Sequence, residues 1–453
     1  MHTRMRLIDM QFLYGHGFLT CCLLAANGRP ASAEITPARV FSDNVVLQRD
    51  SPLAVWGTST SETKVTVDIY GLIQPRIEEF LSGDLIRFKG EASTEMATLI
   101  ATQLKAQLGT LPRRAGAALG KRHDLTARAS QIDPLAKEHP EIGFVFTDDK
   151  GKPMDLQHAV VDTSVPPQGK LVIWLMDHSQ PLFERISSYG LHGIQVHYAN
   201  RWFGGLKPEV RDSGDVLGRI RLEASTGEDA SPLVDIPKPD GMAERARQFL
   251  LWLDREHPEG RWAQFLTDDR KDLRWEKVTL AGISHGATTA ARFAVHKPVD
   301  RVVMLSGPRD NTETWQGLPS ATPANRFFGF SHELDSGWTA DHYCRSWQLL
   351  RLNECGPVVN VDEVPSPYGN TRRLITTADV DKNPGRAHTA VVPGGSSVKN
   401  ATGAMIHEPV WRYLFTHPVE QTGTAVPPDA DCAMERQTAH GVPPTPPALP
   451  VRP

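Results

Sequence analysis

The chain has 453 residues, with 49 Lys and Arg against 53 Asp and Glu, and a formal net charge of −4. Its 40% hydrophobic and 23% charged content is enough for a large core and too apolar for general disorder. The near-neutral balance argues against a nucleic-acid partner, which calls for a basic face, and five cysteines are too few for a disulfide scaffold.

In chain order, Arg4 and Arg6 precede an apolar stretch from Met10 to Leu24, and Ala31-Ser32-Ala33 fits a small-residue cleavage site. Residues 1–33 therefore read as an export signal, which predicts a secreted or periplasmic protein. No run of about 18 apolar residues follows, so no integral membrane span is expected in the mature chain. Over 34–75, Val45-Val46-Leu47, Val55-Trp56 and the alternating run Val65–Tyr70 predict a small β-rich segment. Residues 92–108 place Met96, Leu99, Ile100, Leu104 and Leu108 at helical spacing, with Gly109 as a stop. The basic, irregular stretch 110–140 completes a connector over 76–142.

From 143 the pattern changes. Phe144–Phe146 and His158–Val161 flank the turn Asp149–Lys152, which predicts a hairpin. Short buried strands follow at Lys170–Met176, Gly193–Tyr198, Lys277–Ala281, Arg301–Leu305, Arg326–Phe330 and Arg373–Thr377, with helices at Met242–Glu256 and Ala287–His296. This alternation predicts an α/β domain over 143–417, a mostly parallel central sheet flanked by helices. The Gly/Pro-rich stretch 204–241 reads as an insertion. Patterning weakens after about 418, and 441–453 holds six prolines in thirteen positions, so 418–453 reads as a disordered tail. With Cys21 and Cys22 lost with the signal, a Cys344–Cys355 disulfide fits an oxidising compartment and leaves Cys432 free.

The motif that carries chemistry is Gly282-Ile283-Ser284-His285-Gly286, between the strand WEKVTLA and the helical ATTAARFAVH. G-x-S-x-G in a strand–turn–helix context is a nucleophile elbow: small neighbours allow a sharp turn that lifts the Ser284 hydroxyl toward a helix N-terminus. A serine hydroxyl needs a base, and the base an orienting acid, here expected in the order Ser, acid, His. Asp335, at the end of the strand ANRFFGF, is the expected acid, with Glu333 in reserve. His388, in the loop after RRLITT, is the expected base, and His407, opening the last helix, is the reserve. His332-Glu333 lacks a second His at helical spacing, so no metal site is expected. The oxyanion donors are expected at His285 and in the loop Asp177-His178-Ser179, where Asp177 brings negative charge toward a developing oxyanion. Trp315, Trp338 and Phe327 are candidates for lining an acyl or aromatic pocket.

Two resemblances follow from these residues. Over about 143–415, Trp275, Val278, the GISHGA elbow, Val299, Arg301 and the run Val302–Asp310 resemble the α/β-hydrolase superfamily, a likeness that implies an eight-strand-type sheet and ester hydrolysis without a cofactor. Residues 36–70 resemble the opening of bacterial sialate O-acetylesterases, although the GQS-type motif of that family is missing. The expected function is an exported serine hydrolase acting on carboxylic esters of small molecules or glycans. The alternatives are a glycan or sialate O-acetylesterase and a non-catalytic binding module, the latter favoured by the altered oxyanion loop.

Overall fold

The computed structural model describes residues 120–207, 210, 213–339, 342–429 and 432, except the side chains of 339 and 342. Outside them it describes only the backbone of five short strands, His2–Leu7, Leu23–Ala25, Ile35–Pro37, Gly57–Ser59 and Lys64–Asp68. The chain divides into two units, Met1–Leu119 and Gly120–Pro453. In the first, Lys64–Asp68 falls on the run read as a strand. The cleavage site, the helix expected over 92–108 and the proline-rich end of the tail lie outside the described residues.

The second unit is built on nine strands: β1 Arg122–Arg128, β2 Leu156–Asp162, β3 Leu171–Trp174, β4 His192–Gln195, β5 Val278–Ile283, β6 Arg301–Leu305, β7 Phe327–His332, β8 Val358–Asn360 and β9 Arg373–Thr376. They lie in the order β8-β9-β7-β6-β5-β3-β4-β2-β1. Every neighbouring pair from β8 to β4 is parallel. The β4–β2 and β2–β1 pairs are antiparallel, so β2 alone runs against the rest. The helices longer than four residues are α1 Gln180–Ser188, α2 Gly214–Thr226, α3 Met242–Glu256, α4 His285–His296, α5 His342–Leu349, α6 Pro384–Ala390 and α7 Glu408–Thr416.

Strand side chains alternate between two apolar layers, as the pleat requires. Leu171, Ile173, Leu280, Val302 and Met304 join Ile220 of α2, Phe249 of α3 and Ala290 of α4 on one face. Val172, Trp174, Ala281, Val303 and Leu305 join Phe183 of α1 and Trp411 of α7 on the other. Strands covered on both faces read as continuous apolar runs, which is why β3 and β6 were legible as LVIW and RVVML. This three-layer arrangement, with one reversed strand and a sharp turn between β5 and α4, is the α/β-hydrolase fold.

Four expectations are corrected. The partner of β2 is not 144–146 but β1, paired in full register from Arg122↔Asp162 to Arg128↔Leu156, so the sheet begins before 143. β1, RHDLTAR, is a charged edge strand with one wetted face, and such strands carry too little apolar signal to announce themselves. Residues 144–146 instead form a loop with isolated bridges at His139↔Phe144 and Thr147↔Pro153. The insertion 204–241 contains α2, on which Arg221, Glu223 and Ser225 are buried. Residues 418–429 are docked rather than loose. The buried Arg372 guanidinium donates to the carbonyls of Val419 at 2.8 Å and Gln421 at 3.0 Å, and Gly423 N–H donates to the carbonyls of Cys355 and Asn370. Finally, the disulfide joins Cys344 to Cys432, leaving Cys355 a buried free thiol.

The bridge anchors the docked segment to α5 across a sequence separation of 88 residues. A non-reducing peptide map is expected to contain a 344–432 cross-link, and a 344–355 cross-link would contradict the fold as described. Reducing the bridge is expected to cost about 2–4 kcal/mol in urea denaturation.

Candidate active site

The elbow is set by close backbone approach. A Cβ at Gly282 would lie 2.3 Å from the Gly286 carbonyl carbon, and one at Gly286 would lie 2.7 Å from the Leu175 carbonyl oxygen. Only glycine fits at either place, which is the physical content of the G-x-S-x-G spacing. Between them Ser284 is forced to φ 55° and ψ −114°, a conformation that costs a non-glycine residue about 1–3 kcal/mol. Its N–H donates to Leu305 O of β6 at 3.0 Å, and its carbonyl accepts from both Thr288 N and Thr288 Oγ1 of α4. The serine is thus held at the start of α4, with 8% of its surface exposed.

Asp335 follows β7 and is wholly buried. Its Oδ2 accepts from His388 Nδ1 at 2.8 Å, and its Oδ1 accepts from Gly337 N–H at 2.9 Å and Tyr343 O–H at 3.3 Å. Burial by itself raises its pKa, but the hydrogen bond and charge of His388, the Gly337 amide and the Ser306 hydroxyl hold it below the usual carboxylate range. Gly337 is glycine because a Cβ there would lie 2.0 Å from the Tyr343 ring. His388 stands on α6, which Asn383 caps through Oδ1 accepting from Arg386 N–H at 3.0 Å. Ser306, next to β6, donates its hydroxyl to the His388 carbonyl at 2.8 Å. With Nδ1 donating to Asp335, Nε2 is the nitrogen free to accept a proton. Among the described residues no hydrogen bond joins Ser284 Oγ to His388, a contact that often tightens only when substrate is bound.

The reserves are placed elsewhere. Glu333 is exposed. His332 is buried and spent on the Ala378 carbonyl at 2.7 Å. His407 is buried against Thr376 Oγ1 at 3.1 Å and lies 3.8 Å from Asp362, so it belongs to a separate acid–histidine pair. The expected pocket aromatics are also relocated. Trp315 and Phe327 are core, and Trp338 packs on Trp347 at 5.4 Å.

The loop after β3 lies beside the elbow, since Leu175 N–H extends the β3–β5 ladder to Ala281 O. The Asp177 carboxylate, 89% exposed and 3.6 Å from Arg201, is turned to solvent rather than toward a developing oxyanion, while its carbonyl accepts from the Trp174 indole at 2.9 Å. His178 stacks on His158 at 4.0 Å, and burial lowers its pKa. Among the described residues the amides of Met176, Asp177 and His178 meet no acceptor. Met176, whose side chain covers Gly286, was not foreseen as part of this loop's contact with the elbow.

Sequence reasoning also missed the group around His285. Arg221, fully buried on α2, grips both oxygens of Asp310 at 2.9 Å, and its Nη2 lies 3.1 Å from His285 Nδ1. Burial, then the charges of Arg221 and Arg309, push His285 down to about 3, so the ring is neutral at physiological pH. Phe203 lies 4.2 Å from it and Trp202 beneath the Arg221 guanidinium at 5.2 Å. Nothing in the sequence linked α2 to the elbow; only Asp310, one residue past SGPR, hinted at a charged group there. For metals, the one convergent group among the described residues is Cys344, Asp429 and Cys432, and both of its sulfurs are tied in the disulfide.

No family model and no curated protein matches the sequence. Among solved structures the chain is similar to a protein of Klebsiella pneumoniae described as a dienelactone hydrolase, at 13% identity over 57% of this chain and 87% of that one, with a TM-score of 0.24. It is similar to an esterase of Thermogutta terrifontis at 10% identity over 59% and 87%, with a TM-score of 0.27. It is also similar to an acylaminoacyl peptidase at 11% identity over 61% of this chain, with a TM-score of 0.28, and spans only 41% of that chain's length. These likenesses are too distant to speak to chemistry, which the site geometry must carry.

The conformation of Ser284 has a measurable consequence. Ser284→Gly relieves the positive φ and Ser284→Ala does not, while glycine gives back part of that gain through the unfolded chain. The glycine variant is expected to be the more stable of the two by about 1 kcal/mol in chemical denaturation; equal stabilities would mean that the turn is unstrained.

Proposed function

We propose that this protein is an exported serine hydrolase that cleaves carboxylic esters. The observation that carries the reading is the buried Asp335 carboxylate accepting from His388 Nδ1 at 2.8 Å, which leaves Nε2 as the base, with the His388 carbonyl held by Ser306 next to the Leu305 that pairs with Ser284. In the first half-reaction Ser284 Oγ attacks the ester carbonyl carbon and its proton passes to His388 Nε2. Asp335 stabilises the imidazolium, and the His285 amide with an amide of the Met176–His178 loop faces the oxyanion. The imidazolium then gives its proton to the departing alkoxide, which leaves as the alcohol. Water, deprotonated by His388, attacks the acyl-serine, and the acid departs as the serine regains its proton.

Export is favoured by the Arg-flanked apolar stretch before Ala31-Ser32-Ala33 and by a disulfide suited to an oxidising compartment. Asp177, turned outward, removes the objection that it would oppose an oxyanion, and this favours turnover over a non-catalytic role. Among the described residues no helix is long and apolar enough to cross a membrane.

Turnover of 4-nitrophenyl acetate and butyrate tests the reading. Ser284→Ala and His388→Ala are expected to lower kcat by at least about a thousandfold, and Asp335→Asn by about a hundredfold or more. His407→Asn, outside the site, is expected to change it less than about tenfold. Undiminished turnover in Ser284→Ala, or none in the folded wild type, would overturn the assignment.

A further inference from the structure

The loop after β6 carries two adjacent charges with opposite fates. Asp310 is consumed: both its oxygens are held by Arg221. Arg309 is half-buried and makes no side-chain hydrogen bond or ion pair among the described residues. Its backbone is fixed all the same. Its N–H donates to Thr288 Oγ1 at 2.9 Å, and its carbonyl accepts from Gln316 Nε2 at 2.7 Å. Thr288 Oγ1 in turn donates to the carbonyl of Ser284 at 2.7 Å, so a single side chain links the Arg309 backbone to that of the proposed nucleophile.

Among the described residues the neighbouring acids offer Arg309 no partner. Glu313 is paired with Arg345 at 3.0 Å, and Asp335 with His388 at 2.8 Å. The positive charge of Arg309 is felt at His285, next to Ser284, and at Tyr343, which donates to Asp335. A half-buried guanidinium loses hydration that an internal acid normally restores. Here the acids among the described residues that could do so are already committed, and the charge lies beside the reacting centre.

We propose that Arg309 binds a carboxylate on the substrate, so that the ester this site prefers is anionic. The proposal rests on the serine-hydrolase reading for its chemistry, but not for the anion site itself. A guanidinium offers a planar fork of donors that matches the two oxygens of a carboxylate, which makes the interaction directional as well as electrostatic. His285, being neutral, adds no second positive charge, so discrimination falls to Arg309.

The test uses two matched substrate pairs. 4-Nitrophenyl hydrogen adipate and its methyl ester place the charge on the acyl side. 4-Acetoxybenzoate and its methyl ester place it on the alcohol side. In the wild type the ratio of kcat/KM for the anionic over the neutral ester is expected to exceed about tenfold in one pair. In Arg309→Gln that ratio is expected to fall to about one, mainly through KM, with Arg309→Lys in between. Ratios that are the same in wild type and Arg309→Gln for both pairs overturn the proposal while leaving the hydrolase reading intact. If no ester is turned over, free adipate decides. A rise in Tm for wild type and none for Arg309→Gln supports the anion site and abandons hydrolysis, and equal shifts or none in either protein overturn the site.

Discussion

The contact on which the rest of the site depends is the backbone approach of β5 to α4. Gly282 and Gly286 meet so closely that neither tolerates a Cβ, and the residue between them is left with a conformation it would not choose. That strain is sustained because the buried sheet on one side and the buried α4 on the other over-determine the turn. The same contact brings the loop after β3 against Gly286, so one steric fact positions Ser284, the start of α4 and that loop.

Around this turn the charges are arranged in closed pairs. Asp335 holds His388 and Asp310 holds Arg221, while away from the turn Asp362 lies beside His407. Each pair offsets the desolvation of its members, and the pairing of Asp335 and Asp310 commits two acids that could neutralise Arg309. Pairing also gives each histidine its role. His388 has one nitrogen donating to an acid and the other free; His285 is kept neutral beside Arg221; His407 is buried beside the more exposed Asp362. Three histidines of one chemistry thereby do three different things because of what surrounds them.

How much of this was legible in the sequence depended on how local each constraint is. The elbow was legible because its steric demand acts within two residues of Ser284. The place of Asp335 was legible because it closely follows the apolar run of β7, whereas His388 stands on α6, well past the end of β9. β1 was not, because an edge strand with one wetted face needs no apolar alternation. α2 was hidden because it buries the charged Arg221 and Glu223, whose partners are Asp310 and the amides of Ala230, Ser231 and Ile236. The docking of 418–429 was hidden too, since it depends on backbone carbonyls that accept from Arg372 rather than on side chains of the segment itself. Cysteine spacing pointed to the nearer partner of Cys344, while the fold supplies the farther one.

The central claim is that Ser284 is a nucleophile activated by His388. Intact-mass and peptide mapping of the protein after exposure to a fluorophosphonate tests it most directly. The account predicts one adduct per chain, on Ser284, formed far more slowly in His388→Ala. A folded protein that takes up no label, or takes it up at another residue, would contradict it.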